Sequence, residues 1–455
     1  MQNDTIAAIA TPPGTGGIAV IRISGADCFT IAQKIFKANN KKSLADMKGY
    51  TAVYGNFYLQ DKIIDDGIAL CFVAPHSYTG EDTVEFSCHG GEEVSKLVLR
   101  ACFLAGAAPA EPGEYTKRAV LNGRMDLSQA EAVMDIISST SEQGVAMASA
   151  AMHGDLYKKV DAVKNDLIQL ASHMAAVMDY PEEGVEDIEM PKIAQRLSNA
   201  NKVLLQLLST YRDGITIKRG VKTVIAGSPN VGKSTLFNLL SRQDRAIVTE
   251  IAGTTRDVIQ EQIQLNGIPF WISDTAGMHD TQDVVEQKGI ERTQKELEQA
   301  SLILAVYDSS SPLQAKDIEL AKQCAGKPSV AILNKVDLGV EVKAEKLSPY
   351  FTQVLLLSAK EEEAYDILKE SILKAVNLST VDTNAPLLAN ERQLAAVLQA
   401  QQFLQESIDV IAEEMTMDAV GILVQEAINA LMKLTGENVS DEVIDAIFEN
   451  FCVGK

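Results

Sequence analysis

The residues with the clearest chemistry form a glycine-rich segment, Gly227–Ser234, which has the spacing G-x-x-x-x-G-K-[ST]. The segment follows a strand-like apolar run and precedes a helical run at Thr235–Leu240, which is the context that a phosphate-binding loop requires. Its glycines let backbone N–H groups surround phosphates, Lys233 can reach the β- and γ-phosphates, and Ser234 can bind magnesium. A single such motif can arise by chance, so the remaining segments decide its meaning.

Three later segments indicate which nucleotide would bind. Asp274–Gly277 ends the next predicted strand and offers a carboxylate for magnesium and a glycine for the γ-phosphate. Asn334–Asp337 ends a later strand, and the Asp337 carboxylate can accept hydrogen bonds from guanine N1–H and its 2-amino group together. Adenine would leave the carboxylate unpaired, at about 1–3 kcal/mol per unsatisfied group. Ser358–Lys360 suits a loop over the base, so the sequence predicts GTP.

A switch segment before the second motif completes the predicted site, and its Thr255 is the natural second magnesium ligand beside Ser234. The predicted GTP-binding residues are Asn230, Val231, Gly232, Lys233, Ser234, Thr235, Thr249, Glu250, Ile251, Ala252, Gly253, Thr254, Thr255, Asp274, Thr275, Ala276, Gly277, Asn334, Lys335, Asp337, Ser358, Ala359 and Lys360.

The residue that would orient the attacking water is not evident from this motif set. Met278 follows Asp274–Gly277, at the position where Ras-like GTPases carry a glutamine, and a thioether cannot orient water. Glu286, slightly downstream, is the best carboxylate candidate. A solvated residue on a charged helix is an equally good interpretation of Glu286 from its chemistry alone.

Composition limits the class of protein. The 455 residues carry a net charge of −21, with 46% hydrophobic and 23% charged residues, which is typical of folded domains. This acidity argues against nucleic-acid binding through the overall field, although a local basic site is compatible with it. The six cysteines form no CxxC pair and predict reduced thiols. The sequence shows no signal peptide and no apolar stretch of about 20 residues, so we expect a cytoplasmic protein without a membrane span.

The elements that must position these residues change along the chain. Residues 1–120 combine β-rich runs with helices near Cys28–Lys37 and Glu92–Ala105, which predicts an α+β domain. Residues 121–213 are helical and predict the first half of a helical bundle. Their apolar seam comprises Val160, Val163, Leu167, Leu170, Met174 and Val177.

The second half of the chain contains the nucleotide motifs. Residues 214–379 alternate apolar strands with helices and predict a doubly wound α/β domain with one hairpin, at Asn266–Gly267. Residues 380–455 are helical again, and Leu398 belongs to their predicted apolar face. The economical architecture is therefore a helical-bundle domain that is interrupted by an inserted P-loop GTPase domain.

Taken together, these residues resemble the MnmE (TrmE) family of tRNA-modification GTPases over the whole chain. The motifs that carry the resemblance are Asp4–Gly14, Arg22–Gly25, Tyr78–Asp82, Pro112–Ala119, Gly253–Asp257 and the terminal Phe451–Lys455, which is similar to the family's Cys-x-Gly-Lys ending.

The resemblance implies an enzyme that modifies the wobble uridine of certain tRNAs together with a flavoprotein, MnmG, in a heterotetramer. It implies that a 5-aminomethyl or 5-carboxymethylaminomethyl group is formed with a one-carbon unit from a tetrahydrofolate, in the 5-formyl or methylene form. The N-terminal domain would form a homodimer and bind the folate. By motif match, Arg22, Glu85, Arg124 and Lys455 fall on folate-contacting positions, and Arg124 stands where some relatives have lysine.

The resemblance also implies that two G domains meet for GTP hydrolysis and that potassium replaces an arginine finger. Asn230 matches the potassium-binding asparagine, and Thr249, Ile251 and Thr254 lie in the loop that encloses the ion. Glu286 matches the water-orienting glutamate. Cys452 lies in the terminal motif and is a candidate catalytic or redox residue, although an incidental terminal cysteine is an equal alternative.

Two other functions stay open at this point. A GTP-switched RNA-binding assembly factor would share the G domain, but such proteins carry a basic RNA-binding module, and the flanking segments here are an α+β domain and an acidic helical domain. A structural dimeric switch is the other alternative, because the carbon transfer has no evident nucleophile except Cys452. Since the chain is acidic, we expect tRNA to be held mainly by the complex with MnmG.

Overall fold

The computed structural model describes residues 4–179, 189–243, 261–274, 294–378, 385–449 and 451–454. The chain divides into two compact units. The first consists of Met1–Met134, Met152–Leu197 and Gln402–Lys455, and the second consists of Asp135–Ala151 and Ser198–Gln401. Among the described helices, none is long and apolar enough to cross a bilayer.

The N-terminal part of the first unit is built on a seven-stranded sheet with the order β3-β4-β5-β6-β2-β1-β7. Neighbouring strands are antiparallel except β1 and β7, which are parallel. The strands are β1 (Ile6–Ile9), β2 (Ile18–Ser24), β3 (Phe36–Ala38), β4 (Thr51–Leu59), β5 (Lys62–Phe72), β6 (Thr83–His89) and β7 (Ala108–Pro109).

Two helices, α1 (Cys28–Ile35) and α2 (Glu92–Ala105), contribute to the hydrophobic core of this sheet. The prediction for α2 is confirmed, whereas the helix predicted near Cys28–Lys37 ends at Ile35. Phe36 pairs with Phe57 of β4 and is completely buried, with its ring centroid 5.1 Å from that of Phe57. Burial of this aromatic ring in the core overrides the local helical pattern. A third helix, α3 (Glu114–Leu121), follows β7.

Long helices follow the sheet. They are α4 (Leu127–Ser138), α5 (Glu142–Met152), α6 (Asp155–Asp179) and α7 (Met190–Arg219). The predicted seam of α6 is confirmed, because its first five members are buried and Val177 is half-buried. Among them lies Lys164, a buried lysine whose ammonium is paired with Asp161 and Glu437. Burying a charged lysine is tolerated because both carboxylates compensate it.

The second unit contains a six-stranded sheet with the order β13-β12-β11-β8-β10-β9. Only β9 and β10 pair antiparallel among these strands. The strands are β8 (Val221–Ala226), β9 (Glu261–Leu265), β10 (Ile268–Asp274), β11 (Leu302–Asp308), β12 (Ser329–Asn334) and β13 (Gln353–Leu356). The predicted hairpin is confirmed, since Asn266 and Gly267 both have positive φ, 54° and 71°, as a two-residue turn of the primed type needs.

Helices alternate with the strands of this unit. They are α8 (Lys233–Gln243), α9 (294–299), α10 (Ala315–Cys324) and α11 (Ala364–Ala375). The apolar strands β11 and β12 are buried along nearly their whole length, as the continuous hydrophobic runs predict for a sheet covered on both faces. Because β8, β11 and β12 run parallel, their carboxyl ends lie at one edge of the sheet, where a ligand is expected to bind.

Three helices complete the chain, namely α12 (Glu391–Ala412), α13 (Met417–Thr435) and α14 (Asp441–Phe448). The expectation that Leu398 lies on the apolar face of α12 is wrong, because this side chain is 42% exposed. The buried hydrophobic positions of the helix are Ala396, Val397, Ala400 and Leu404. Small alanines on the packed face allow close approach of the neighbouring backbone, so the largest aliphatic residues do not mark the buried stripe.

Candidate nucleotide site and N-terminal arginine site

The glycine-rich loop joins β8 to the first turn of α8, as the sequence predicts. Gly232 has a φ of 103°, and a Cβ there would lie 2.2 Å from Asn334 Nδ2. Asn230 has a φ of 64°, a conformation that asparagine tolerates better than most side chains. The loop is thus shaped by residues that allow the backbone to turn its N–H groups inward, next to the positive end of a helix dipole.

Lys233 lies inside this loop and is 8% exposed. Its ammonium donates to the carbonyl oxygens of Gly227 and Ser228, at 2.9 and 3.0 Å. Ser234 and Thr235, in the same first turn of α8, are exposed. The loop therefore presents a held cation and exposed hydroxyl groups, which suit a phosphate chain and a magnesium ion.

Asn334, the last residue of β12, ties the loop to the opposite wall of the site. Its amide Nδ2 donates to the Val231 carbonyl at 2.9 Å, and its Oδ1 accepts from the Ala359 N–H at 2.9 Å. One side chain thereby fixes the distance between the phosphate loop and the Ser358–Lys360 segment. The structure brings these predicted residues together.

A cavity of about 220 Å³ opens beside this bridge. It is lined by Gly232, Thr235, Asn334, Lys335, Asp337, Leu338, Ser358, Ala359 and Lys360. All of these except Leu338 belong to the predicted GTP-binding set. The Asp337 side chain is 30% exposed and borders this cavity, and its Oδ2 lies 3.8 Å from the Lys360 ammonium. A carboxylate in this position suits a base with paired donors.

Two acidic residues that the sequence motifs do not mark hold the walls of this site. Asp317 in α10 accepts from the Ser228 hydroxyl at 2.8 Å, and Asp308 at the end of β11 forms a 2.6 Å ion pair with Lys335. Neither acid belongs to a phosphate-loop or base-recognition pattern. The regular alternation of strands and helices in this segment is the only sequence signal that places them near the edge of the sheet.

Several predicted residues lie outside the described part of the chain, and the structure does not test them. They are Thr249, Glu250, Ile251, Ala252, Gly253, Thr254, Thr255, Thr275, Ala276, Gly277, Glu286 and Lys455, together with Met278. The backbone of Asp274 ends β10, as predicted.

A second polar site lies in the N-terminal domain. Arg22 of β2 stands opposite Glu85 of β6, and its Nε and Nη2 atoms are both 2.8 Å from Glu85 Oε1. The guanidinium carbon lies 5.4 Å from the ring centres of both Tyr78 and Tyr115. Burial raises the pKa of both phenols, which keeps them neutral beside the cation. The family resemblance implies that Arg22 and Glu85 are folate-contacting positions, but it does not identify the two tyrosines beside them.

The end of the chain docks on the same region. Arg22 Nη1 donates to the Gly454 carbonyl at 3.3 Å, and Val453 forms a backbone bridge with Pro112. Gly454 has a φ of 94°, and a Cβ there would lie 2.4 Å from the Ile9 carbonyl oxygen. A glycine is therefore required where the tail crosses β1. Cys452 is exposed in this docked segment.

Arg124 is exposed and donates from Nε to the Ser77 carbonyl at 3.2 Å, next to Tyr78. A more elaborate ionic group surrounds Arg118, which pairs with Glu81 and Glu114 at 3.2 and 2.7 Å. Burial alone would lower the pKa of Arg118, but the two carboxylates raise it above its ordinary value. Arg118 is not among the residues predicted for this site, although it lies in the Pro112–Ala119 motif.

Comparison with known protein families gives a match for the N-terminal domain and another for the rest of the chain. The family described as "GTP-binding protein TrmE N-terminus" matches residues 5–124. The family described as "MnmE helical domain" matches residues 127–452, a span that encloses the G domain. Both matches, with the strand order above, confirm the predicted fold class of an α+β N-terminal domain and a helical domain interrupted by a P-loop GTPase domain.

Full-length relatives agree. The chain is 39% identical to the tRNA modification GTPase MnmE of Natranaerobius thermophilus, over 100% of both chains. It is 38% identical to the protein of that name from Clostridioides difficile, over 100% of this chain and 99% of the relative. A solved structure, Aquifex aeolicus Era bound to GDP and AlF4−, is 27% identical over 40% of this chain and 66% of its own, with a TM-score of 0.26. The chain belongs to the MnmE (TrmE) family of tRNA modification GTPases.

Proposed function

We propose that this GTPase acts with the flavoprotein MnmG on the wobble uridine of certain tRNAs in the cytoplasm, forming a 5-aminomethyl or 5-carboxymethylaminomethyl group with a one-carbon unit from a tetrahydrofolate. The observation that carries the proposal is the docking of the C-terminal tail on the N-terminal arginine site, through the bond from Arg22 to the Gly454 carbonyl. This contact brings the exposed Cys452 segment and the Arg22–Glu85 pair into one region.

The residues around Arg22 fit a folate chemically. The Arg22 side chain is 13% exposed and the Glu85 side chain is 24% exposed, so a donor and an acceptor both reach the surface on the neighbouring strands β2 and β6. A reduced pterin carries ring N–H and amino donors together with a carbonyl acceptor, and its glutamate tail is anionic. Glu85 would accept from the ring, while Arg22 and Lys455 would supply cations. Arg124, on the neighbouring Ser77 carbonyl, would add a further cation at the rim.

The phosphate loop fits the proposed metal ions. Ser234 is exposed in the first turn of α8 and would bind Mg²⁺ with Thr255, and the ion would neutralise phosphate charge. Asn230 is exposed with positive φ, so its amide oxygen is available to potassium, for which Thr249, Ile251 and Thr254 would be further ligands. Glu286 would orient the attacking water when two G domains meet.

The proposed homodimer is supported by the sheet of the N-terminal domain. One face packs against the core that α1 and α2 share. The other face exposes Ile18 by 67%, Tyr54 by 51% and Ile68 by 43%, on strands β2, β4 and β5. Tyr54 and Ile68 are register partners and so lie on the same face. Exposed apolar side chains clustered in this way favour a protein partner, and in the proposal this partner is a second copy of the chain. The homodimer would assemble with MnmG into a heterotetramer.

Mass spectrometry of wobble nucleosides tests the proposal. Cells that lack this protein should lose the 5-aminomethyl and 5-carboxymethylaminomethyl uridines, and the wild-type gene should restore them. A Glu85→Gln variant, which keeps the size of the side chain but removes its charge, should restore them poorly while retaining GTP hydrolysis. Normal wobble nucleosides in the deletion strain would overturn the proposal and favour an RNA-binding assembly factor instead.

A further inference from the structure

We propose that Asp308 is a positioning residue for the guanine base, because it holds the Lys335 side chain across the base cavity. The inference rests on the assignment of that cavity to the base. Lys335 lines the cavity, whereas Asp308 stands behind it at the carboxyl end of β11. Asp308 and Asn334 are register partners on neighbouring strands, so the anchor is built into the sheet itself.

The contact geometry supports an anchor. Lys335 Nζ lies 2.6 Å from Asp308 Oδ2. The other oxygen, Oδ1, accepts from the Ser310 N–H at 3.0 Å and from the Ser310 hydroxyl at 2.6 Å. Both oxygens of the carboxylate are therefore engaged, and the two side chains of the ion pair are only 26% and 23% exposed. A charge-assisted bond in such a half-buried position is stronger than one on the surface.

Lys335 needs an external anchor for a physical reason. Its backbone is left-handed, with φ 66° and ψ 37°, at the start of the short 3₁₀ turn Val336–Leu338 that presents Asp337. A long, flexible side chain on such a backbone has many rotamers, and fixing it costs conformational entropy. The ion pair fixes the ammonium away from the cavity, so the aliphatic stem remains as the wall against which a flat base can pack.

The charge of Asp308 persists at ordinary pH. Partial burial opposes ionisation, but the hydrogen bonds from Lys335 and Ser310 hold the pKa of Asp308 below its usual range. The Asp308 carboxylate therefore stays ionised near neutral pH. Between about pH 6 and 8, nucleotide affinity should not change through titration of Asp308.

Nucleotide binding by the full-length protein tests the inference. Asp308→Asn should weaken GTP and inosine triphosphate alike, by about tenfold, because packing against the base plane does not depend on the 2-amino group. The ratio of the two affinities should stay at its wild-type value, and Asp308→Glu should recover part of the loss. Asp135→Asn is the matched control, since Asp135 forms a 2.6 Å ion pair with Lys218 of similar exposure away from the cavity.

A double-variant comparison separates positioning from general destabilisation. Lys335→Met keeps an unbranched side chain and removes the charge, so adding Asp308→Asn to Lys335→Met should cause no further loss of affinity. Additive losses, or equal losses in Asp135→Asn, would overturn the inference. Asp337→Asn reports on the cavity independently. If Asp337→Asn changes base preference while Asp308→Asn has no effect, the guanine site stands and the anchor is wrong.

Discussion

At the scale of single residues, the first prediction concerns Asp337, which lines the candidate base cavity. We predict that Asp337→Asn weakens GTP binding by at least tenfold and favours xanthosine triphosphate, because one acceptor oxygen becomes a donor facing a base donor. Competition between the two nucleotides, measured by calorimetry, checks the shift. Unchanged GTP affinity in a folded variant would remove Asp337 from the site.

Asn230 gives a second prediction at this scale. Turnover should be at least tenfold faster in potassium than in sodium, since cation charge must stabilise the transition state where Met278 replaces a glutamine. Asn230→Gly tests the potassium contact better than Asn230→Ala does, because glycine adopts the φ of 64° without steric cost. The variant should lose the potassium effect and keep nucleotide affinity. Equal wild-type rates in the two salts would contradict the potassium site.

The residues whose chemistry suits a nucleotide were predictable from the sequence, whereas the acidic residues that hold the walls of the site were not. Lys233, Asn334 and Asp337 follow a spacing that phosphate and base chemistry impose on any sequence. Asp308 and Asp317 follow no such spacing. An aspartate at the end of a strand or in the first turn of a helix is common in proteins for reasons unrelated to a ligand. Their contacts become visible only when the strands and α10 are assembled.

At the scale of elements, the docked tail gives a prediction about folate. Gly454→Ala would place a Cβ 2.4 Å from the Ile9 carbonyl oxygen and should displace the tail. Truncation of residues 453–455 should act in the same way. Both changes should weaken folate binding by about tenfold while GTP hydrolysis stays nearly intact. Val453→Ala is the matched control, because this side chain is 55% exposed.

Calorimetric titration with a reduced folate measures the effect of these changes. If truncation and Gly454→Ala leave the affinity at the wild-type value, then the tail does not contribute to the folate site. A loss in Val453→Ala of the same size would point instead to a general sensitivity of the terminal segment.

Elements with strong periodicity were predictable from the sequence. The seam of α6 and the hairpin at Asn266–Gly267 depend on local patterns of spacing and turn chemistry, and both occur as expected. Phe36–Ala38 and the face of α12 depend on distant partners. Phe36 becomes a strand residue because Phe57 and Phe86 surround its ring, and Leu398 is exposed because alanines occupy the packed face.

At the scale of the whole molecule, the order of helical and α/β segments predicted an inserted domain. The residue boundaries proposed from composition, at 120, 213 and 379, stay predictions. Helices α4, α5, α7 and α12 each continue across a junction between the two compact units, so no break in the helical pattern marks these junctions in the sequence.

The acidic charge of the whole chain leads to the last prediction, which concerns tRNA. At a net charge of −21 the general field repels phosphates, and each phosphate that is neutralised needs a positioned cation. Many described cations are already paired with carboxylates, including Lys164, Arg22 and Arg118. We therefore expect tRNA to bind this chain alone at least tenfold more weakly than it binds the complex with MnmG at physiological salt. Fluorescence anisotropy with and without the partner measures the difference. Tight, salt-sensitive binding by the chain alone would reveal a local basic groove and transfer tRNA recognition to this protein.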